Sequence, residues 1–344
     1  YYMTNLEYLD LSETQLVSIP LYAFEGMTRI KEVVLPKTCN NVGDKAFQGC
    51  RILCSVSAPG ATIPASAISS CENLERLECA NIKGNIENQN LELILMGDNL
   101  GKVTLPFAYN ESQTVMKIKK LVFGSATTEI TNYIRYNYKN MIDVTEIYFD
   151  PQSEIPVIEN GIFTKSDSLR KIIFPVSLTT LGDYAFDSCP NLTDIIFPED
   201  CALKELRYNT VVKEQSVFTG SCIKSVTFPK NIQTIAGNVF YGTPLEAITI
   251  LDNGSYLQLT HGTYYYKDAY NQSRDDKIGV FENLKNLKTI ICHRIIPPVC
   301  TQYAFNGLKE QFFYSCTLYV PKSAIDNYKS DNYWGKFKNI LPIV

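Results

Sequence analysis

The sequence lacks the features of most catalytic, nucleic-acid-binding and membrane-spanning proteins. It has two histidines, one tryptophan and no apolar run approaching ~20 residues, so no transmembrane helix is predicted. The formal net charge is −4 and like charges do not cluster, which argues against nucleic acid because phosphate binding needs a basic stripe. No P-loop, G-x-G-x-x-G, H-E-x-x-H or G-x-S-x-G motif occurs, and no cofactor is expected.

A repeated unit of about two dozen residues is the main feature that the sequence does contain. Its apolar positions return 23 residues later, since Leu169, Ile172 and Phe174 recur as Leu192, Ile195 and Phe197. The unit reads L-x-x-I-x-F-P, then I-x-x-I, a polar turn, A-F and x-G-C-x-x-L. Its I-x-F alternation indicates a strand, which the following proline ends because proline cannot donate to a ladder. Stacked units bury the apolar side chains that a single unit would leave exposed. The chain is therefore predicted to be a repeat solenoid of roughly 13 turns.

The turn of the repeat resembles that of a known family. L-G-D-Y-A-F-D-S-C-P-N-L at 181–192 and V-G-D-K-A-F-Q-G-C at 42–50 resemble the pattern of BspA-like leucine-rich repeats, and 316–343 resembles the segment that closes many members. The resemblance is weakest over 51–140, where A-F-x-x-C is absent. It implies a leucine-rich-repeat right-handed superhelix with one long parallel sheet, mostly β with short helical or 3-10 turns. It also implies adhesion to host proteins or cells, an extracellular or cell-surface location, and no catalytic residues.

The chain is predicted to form a single domain, 1–344, with three departures from the repeat. Residues 316–344 are expected to be a C-terminal cap, 252–280 an insertion loop, and 207–217 a shorter insertion. Insertions in solenoids emerge on one face and often carry recognition. The first residues lack the basic and apolar regions of a signal peptide, and the chain does not begin with Met, so we expect a targeting signal to have been removed from a longer precursor.

The eleven cysteines include no C-x-x-C pair, and their odd number excludes complete internal disulfide pairing. Five of them stand where other repeats place leucine, methionine or phenylalanine, so they are expected to be small buried hydrophobes. These five are Cys50, Cys71, Cys79, Cys189 and Cys292. The other six stay open, and no metal site is predicted.

Two surfaces are candidate binding sites. The first is the tyrosine-rich insertion, with Tyr256, Tyr264, Tyr265, Tyr266 and Tyr270, whose rings either contact a partner or pack the insertion onto the repeats. The second is the row of β-branched and aromatic residues expected on the exposed face of the sheet, including Tyr148, Ile173 and Ile196. This row is either a contact surface or a set of residues that suit a pleated sheet. Beside it, Lys120, Glu146, Lys171 and Asp194 alternate in charge from strand to strand.

The leading functional hypothesis is a cell-surface or secreted module that binds a protein or glycan, and that is itself a monomer. One alternative is a passive scaffold or assembly spacer of a larger surface protein. Another is an enzyme that acts on glycans, which would need two carboxylates about 5–10 Å apart in a cleft. No sequence motif supports the enzyme.

Overall fold

A computed structural model of the protein describes residues 5–105, 116–131, 142–207, 216–237, 239–267, 270 and 272–344. The chain divides into two compact units, Tyr1–Pro156 (unit 1) and Val157–Val344 (unit 2). Each unit is built from parallel strands contributed by successive repeats, so the predicted fold class is confirmed.

Unit 1 contains the first eleven strands and one 3-10 helix, Ala65–Ile68. The strands are β1 Tyr8–Asp10, β2 Ser18–Ile19, β3 Glu32–Val34, β4 Asn41–Val42, β5 Ser55–Pro64, β6 Arg76–Lys83, β7 Ile86–Leu95, β8 Lys102–Thr104, β9 Met116–Phe123, β10 Glu129–Thr131 and β11 Ile142–Phe149. The main sheet has the order β1-β3-β5-β6-β7-β9-β11. Each of these strands therefore pairs with the one from the preceding repeat.

One ladder of aliphatic residues runs through the main sheet of unit 1. The paired positions are Leu9, Val33, Val56, Leu77, Leu93, Leu121 and Ile147. All of them except Leu9 are buried. Full burial of such a side chain stabilises a fold by about 1.5–3 kcal/mol. The register of the repeats therefore stabilises them by burying this ladder of side chains.

The stretch without A-F-x-x-C differs from the other repeats in its strands. There β5, β6, β7 and β9, and β11 just after the stretch, are eight to ten residues long, whereas β1 and β3 have three. The first residues of β7 pair with β9, as Ile86 with Met116, and both side chains are buried. Extended backbone here covers the core that the A-F turn covers elsewhere, which is why the repeat signal fades in the sequence.

Unit 2 contains the remaining fifteen strands, two α-helices and two 3-10 helices, at Lys322–Ala324 and Trp334–Lys336. The strands are β12 Val157–Ile158, β13 Lys171–Ile173, β14 Thr180–Leu181, β15 Asp194–Ile196, β16 Glu205–Leu206, β17 Ser225–Phe228, β18 Thr234–Ile235, β19 Ala247–Ile250, β20 Gln258–Leu259, β21 Gly262–Lys267, β22 Ser273–Ile278, β23 Thr289–Cys292, β24 Val299–Cys300, β25 Thr317–Val320 and β26 Asn339–Pro342. The helices are α1 Glu310–Ser315 and α2 Ile325–Ser330.

Two parallel ladders follow the repeats of unit 2. The longer strands form the order β17-β19-β23-β25-β26, and the short strands made by I-x-x-I form β16-β18-β20-β24. Ile172 and Ile195 pair directly on β13 and β15, as the repeat predicts. Val226, Ile248, Ile290, Leu318 and Ile340 form the corresponding ladder farther along and are buried.

The prediction of one long parallel sheet needs a correction in unit 2. β13 and β15 pair, but β15 does not continue into the sheet that begins with β17. Backbone bonds flank the gap, from Cys222 N to Leu192 O (2.9 Å) and from Lys230 N to Glu199 O (2.8 Å). Between these two bonds, the segment that contains β17 has one more residue than the segment that contains β15. The two strands therefore cannot stay in register. The insertion predicted at 207–217, which precedes the segment that contains β17, lies outside the described residues except at its ends.

The A-F turns stack along the repeats. Neighbouring phenylalanine rings lie 5.2–5.8 Å apart, from Phe163 through Phe186 and Phe218 to Phe240. The Cys189 thiol donates to Phe163 O at 3.2 Å, and Cys71 does the same to Phe47 O. In these two repeats the cysteine therefore ties its turn to the phenylalanine of the repeat before it.

The segment predicted as a cap packs on the last repeats of unit 2. Tyr328 of α2 and Trp334 are buried, and Trp334 Nε1 donates to Pro298 O at 2.8 Å. β26 adds one more parallel strand beside β25. None of the helices in the described residues is long and apolar enough to cross a bilayer.

Candidate functional site

The stretch 252–280, predicted as an insertion loop, contains three strands. β20 pairs with β18 and β24 and continues the repeat, and Leu257 and Leu259 are buried in the core. Only the second half departs from the repeat, where β21 and β22 form an antiparallel hairpin. The prediction of a loop was wrong because the Tyr-rich run T-Y-Y-Y has high strand propensity, which its position between two turns concealed.

The hairpin is anchored at its base and held by polar pairs along its length. Tyr264, Tyr265 and Tyr266 of β21 pair with Asp276, Asp275 and Arg274 of β22. Lys277 Nζ lies 2.7 Å from Asp275 Oδ2 and also donates to Thr263 Oγ1. The side-chain amide of Asn306 donates to Lys277 O, which fastens the hairpin to the next repeat. The hairpin is thus an ordered projection from a parallel array.

The predicted tyrosine cluster is divided by the hairpin. Tyr264 is half-buried, whereas Tyr270, beside the hairpin turn, is 85% exposed. Tyr256 lies before the hairpin, on the loop between β19 and β20, and is 58% exposed. The side chains of Tyr265 and Tyr266 lie outside the described part of the structure.

A histidine lies at the base of the hairpin. The His261 ring meets Tyr303 edge to face, with centroids 5.1 Å apart. Burial, followed by the positive charge of Lys277, lowers the pKa of His261. Its Nδ1 is buried and has no hydrogen-bond partner among the described residues. The ring packs the hairpin onto the following repeat.

The predicted row on the exposed face of the sheet is engaged in contacts within unit 1. Tyr148 is half-buried, its hydroxyl donates to Glu146 at 2.9 Å, and Lys120 Nζ lies 4.5 Å from its ring centroid. Lys120 also lies 3.4 Å from Glu92 across β9 and β7. These contacts support the sheet-stabilising interpretation of Tyr148, and they pair Lys120 with Glu92 of the neighbouring strand.

The same row in unit 2 includes Ile173, which is half-buried, and Ile196, which is 41% exposed. Lys171 and Asp194 are directly paired in register, as the charge alternation predicts. Ile196 borders a small open cavity of about 210 Å³ beside the gap between β15 and β17. Nothing in this cavity singles out a ligand.

The cysteines form no disulfide, and all eleven are free. The five predicted to be buried hydrophobes are buried, as are Cys39, Cys201 and Cys316. Burial raises the pKa of Cys189 to about 12 and that of Cys292 to about 11, so neither is an activated nucleophile. Among the described residues, no three histidine, cysteine or acidic side chains are placed to hold a metal.

A groove that was not predicted lies in unit 2 between the loop 252–257 and the loop 294–299. Its volume is about 440 Å³, and Tyr256, Ile295, Ile296 and Val299 are exposed along it. The signal in the sequence is I-I-P-P-V at 295–299. It places an apolar run directly after a strand, where the other repeats have a polar turn. Of the predicted site residues, only Tyr256 belongs to this groove.

Comparison with known proteins agrees with the repeat. The model of the family described as BspA type leucine rich repeat region matches in six copies, over residues 1–114, 128–267 and 201–319. No curated protein matches the chain.

Three solved structures to which the chain is similar come from bacteria. A leucine-rich repeat protein from Bacteroides ovatus is 17% identical, with a TM-score of 0.38, 98% of this chain covered and 83% of that one. A leucine rich cell surface protein from Faecalibacterium prausnitzii is 18% identical, with a TM-score of 0.34, 88% of this chain covered and 82% of that one. The pneumococcal vaccine antigen PcpA is 16% identical, with a TM-score of 0.34, 98% of this chain covered and 78% of that one.

Proposed function

Because the chain belongs to the BspA-type leucine-rich repeat family, we propose that it is a binding module that holds a protein partner on surfaces projecting from its repeats. The observation that carries the proposal is the hairpin β21–β22, an antiparallel projection from an otherwise parallel array. Tyrosines on the hairpin offer large, fairly rigid contact areas with polar tips, which suits protein recognition. Tyr270, in the connection between the two strands, is 85% exposed.

We propose adhesion as the biological role and the cell surface or the extracellular space as its place. Both follow from the family resemblance of the repeat turn rather than from a particular site. A glycan is the competing ligand, and it is an outcome of the test.

The proposal is tested by probing arrays of host proteins and glycans with the whole protein and with two variants. The first combines Tyr264→Ala, Tyr265→Ala and Tyr266→Ala, and the second is Tyr270→Ala. We expect protein hits whose affinity falls about tenfold or more in each variant, because a central aromatic contact contributes about 2 kcal/mol or more. The melting temperature should stay within a few degrees.

Tyr314→Ala is the matched control, since Tyr314 is 50% exposed and lies outside the hairpin. It should bind as the parent protein does. Unchanged binding by the Tyr270→Ala variant would remove the hairpin from the contact. Hits confined to glycans would replace the protein partner.

A further inference from the structure

The groove between the loops 252–257 and 294–299 contains an arginine whose hydrogen-bonding capacity is not met. Arg294 lines the groove, and its side chain is only 5% exposed. Its Nη2 donates to Ser255 O and lies 3.8 Å from Asp252 Oδ1, beyond hydrogen-bond distance. Its Nη1 is buried and has no partner among the described residues. A buried guanidinium is costly unless acceptors satisfy its N–H groups, so an oxygen acceptor is missing here.

The wall beside Arg294 is apolar and exposed. Ile296 is 76% exposed and Ile295 54%, and Tyr256 and Val299 are exposed as well. Together with Pro297 they line one open groove. Several large apolar side chains gathered in a groove, rather than scattered singly, are typical of a binding site.

The loop that carries the apolar wall is held rigid from the other side. Asn327 donates to Ile295 O at 3.2 Å, Tyr328 to Arg294 O at 3.1 Å, and Trp334 to Pro298 O at 2.8 Å. All three donors belong to the cap. A preformed loop loses little conformational entropy on binding, which favours affinity.

We propose that this groove binds a peptide segment of a partner protein in which a large apolar side chain lies next to a carboxylate. The carboxylate accepts from the guanidinium of Arg294, and the apolar side chain lies among Tyr256, Ile295 and Ile296. A volume of about 440 Å³ lies within the range of binding pockets, roughly 300–1,000 Å³, and holds a segment of a few residues. The inference rests on the proposed binding function and specifies the chemical features of the partner segment.

The test uses the whole protein and fluorescent pentapeptides. One set carries Leu, Phe or Trp followed by Asp inside an amidated chain, with Asn in place of Asp as the matched set. The second set ends in Leu, Phe or Trp with a free C-terminal carboxylate, with the amide as the matched set. We expect at least one carboxylate set to bind about tenfold or more tightly than its match, because hydrogen bonds to a charged group are stronger than those between neutral groups. The set that does so identifies the source of the carboxylate.

Two variants locate the binding. Ile296→Asp places a negative charge at the highly exposed wall and should abolish binding, while Ile52→Asp, the same change at an exposed isoleucine in unit 1, should not. Arg294→Gln should remove the preference for a carboxylate. If the Arg294→Gln variant has a much lower melting temperature than the parent, the Ile296→Asp variant alone tests the site, since the exposed Ile296 side chain is not part of the core.

Three peptide-binding results would overturn the proposal. They are equal binding of the acidic and amide peptides, no binding of any peptide, and binding that survives Ile296→Asp. Dimerisation seen by light scattering and abolished by Ile296→Asp would also overturn it, because a second copy would then occupy the groove. The hairpin variants distinguish the two proposals, since loss of array binding in Tyr270→Ala with no peptide binding to the groove would retain the binding function and reject only this site.

Discussion

Single side chains show how the repeat converts sequence into packing. Cys189 and Cys71 are buried and donate from their thiols to the phenylalanine carbonyl of the preceding repeat. The sequence predicts their burial, because other repeats place leucine or methionine at the same position. The hydrogen bond could not be predicted, since it depends on the approach of two turns that are distant in sequence by more than twenty residues.

The same residues lead to a prediction about reactivity. Burial raises the pKa of Cys189 to about 12, so only about one thiol in 10⁴ is ionised at pH 8, and the thiolate is the reacting species. Cys222 is exposed. With iodoacetamide at pH 8, we expect Cys222 to be alkylated first and Cys189 only after denaturant is added, as peptide mapping by mass spectrometry would show. Alkylation of both at similar rates would mean that the turn is open.

Arg294 shows where prediction from single residues fails. In the sequence it follows a strand and looks like any charged residue of a turn. Its burial and its unmet Nη1 arise because the cap closes over one side of its loop and Asp252 and Ser255 close the other. Those neighbours come from two different segments, and the spacing of the repeat does not bring them together.

At the scale of elements, the cap is the part whose role follows most directly from the sequence. Helical spacing of Ile325 with Tyr328 and of Trp334 with Phe337 predicts a packed face, and Tyr328, Trp334 and Phe337 are buried. A repeat array needs such a cover, because the last repeat otherwise exposes its core. The hairpin was harder to predict, because its tyrosine run fits both a strand and a recognition loop.

The cap gives a prediction about stability. Trp334→Ala removes a fully buried ring, its contacts with Phe305 and Phe337, and the bond to Pro298 O. We expect a loss of about 3–5 kcal/mol in the free energy of unfolding, measured by urea denaturation followed by circular dichroism. Tyr333→Ala, at a half-buried neighbour, should cost much less. A Trp334→Ala protein as stable as the parent would show that the last repeat needs no cover.

At the scale of the whole chain, the period of 22 or 23 residues is enough to predict the fold class, because register alone decides which side chains share the core. The period fails at two places. Over 51–140 the A-F turn is replaced by long strands, and in unit 2 one extra residue ends the pairing between β15 and β17. In both places the length of a segment differs from that of the ordinary repeat. The spacing of apolar residues does not show which backbone conformation accommodates the difference.

The central claim is that successive repeats coil in register, and cross-linking tests it most directly. Thr227 and Thr249 are paired on β17 and β19, where parallel neighbours lie about 4.8 Å apart, within the roughly 4.4–6.8 Å that a disulfide spans between Cα atoms. In a Cys222→Ser background, Thr227→Cys with Thr249→Cys should form a disulfide on mild oxidation, detected by mass spectrometry. Thr227→Cys with Thr289→Cys, one strand farther and out of register, should not. A cross-link in the second pair and none in the first would contradict the account.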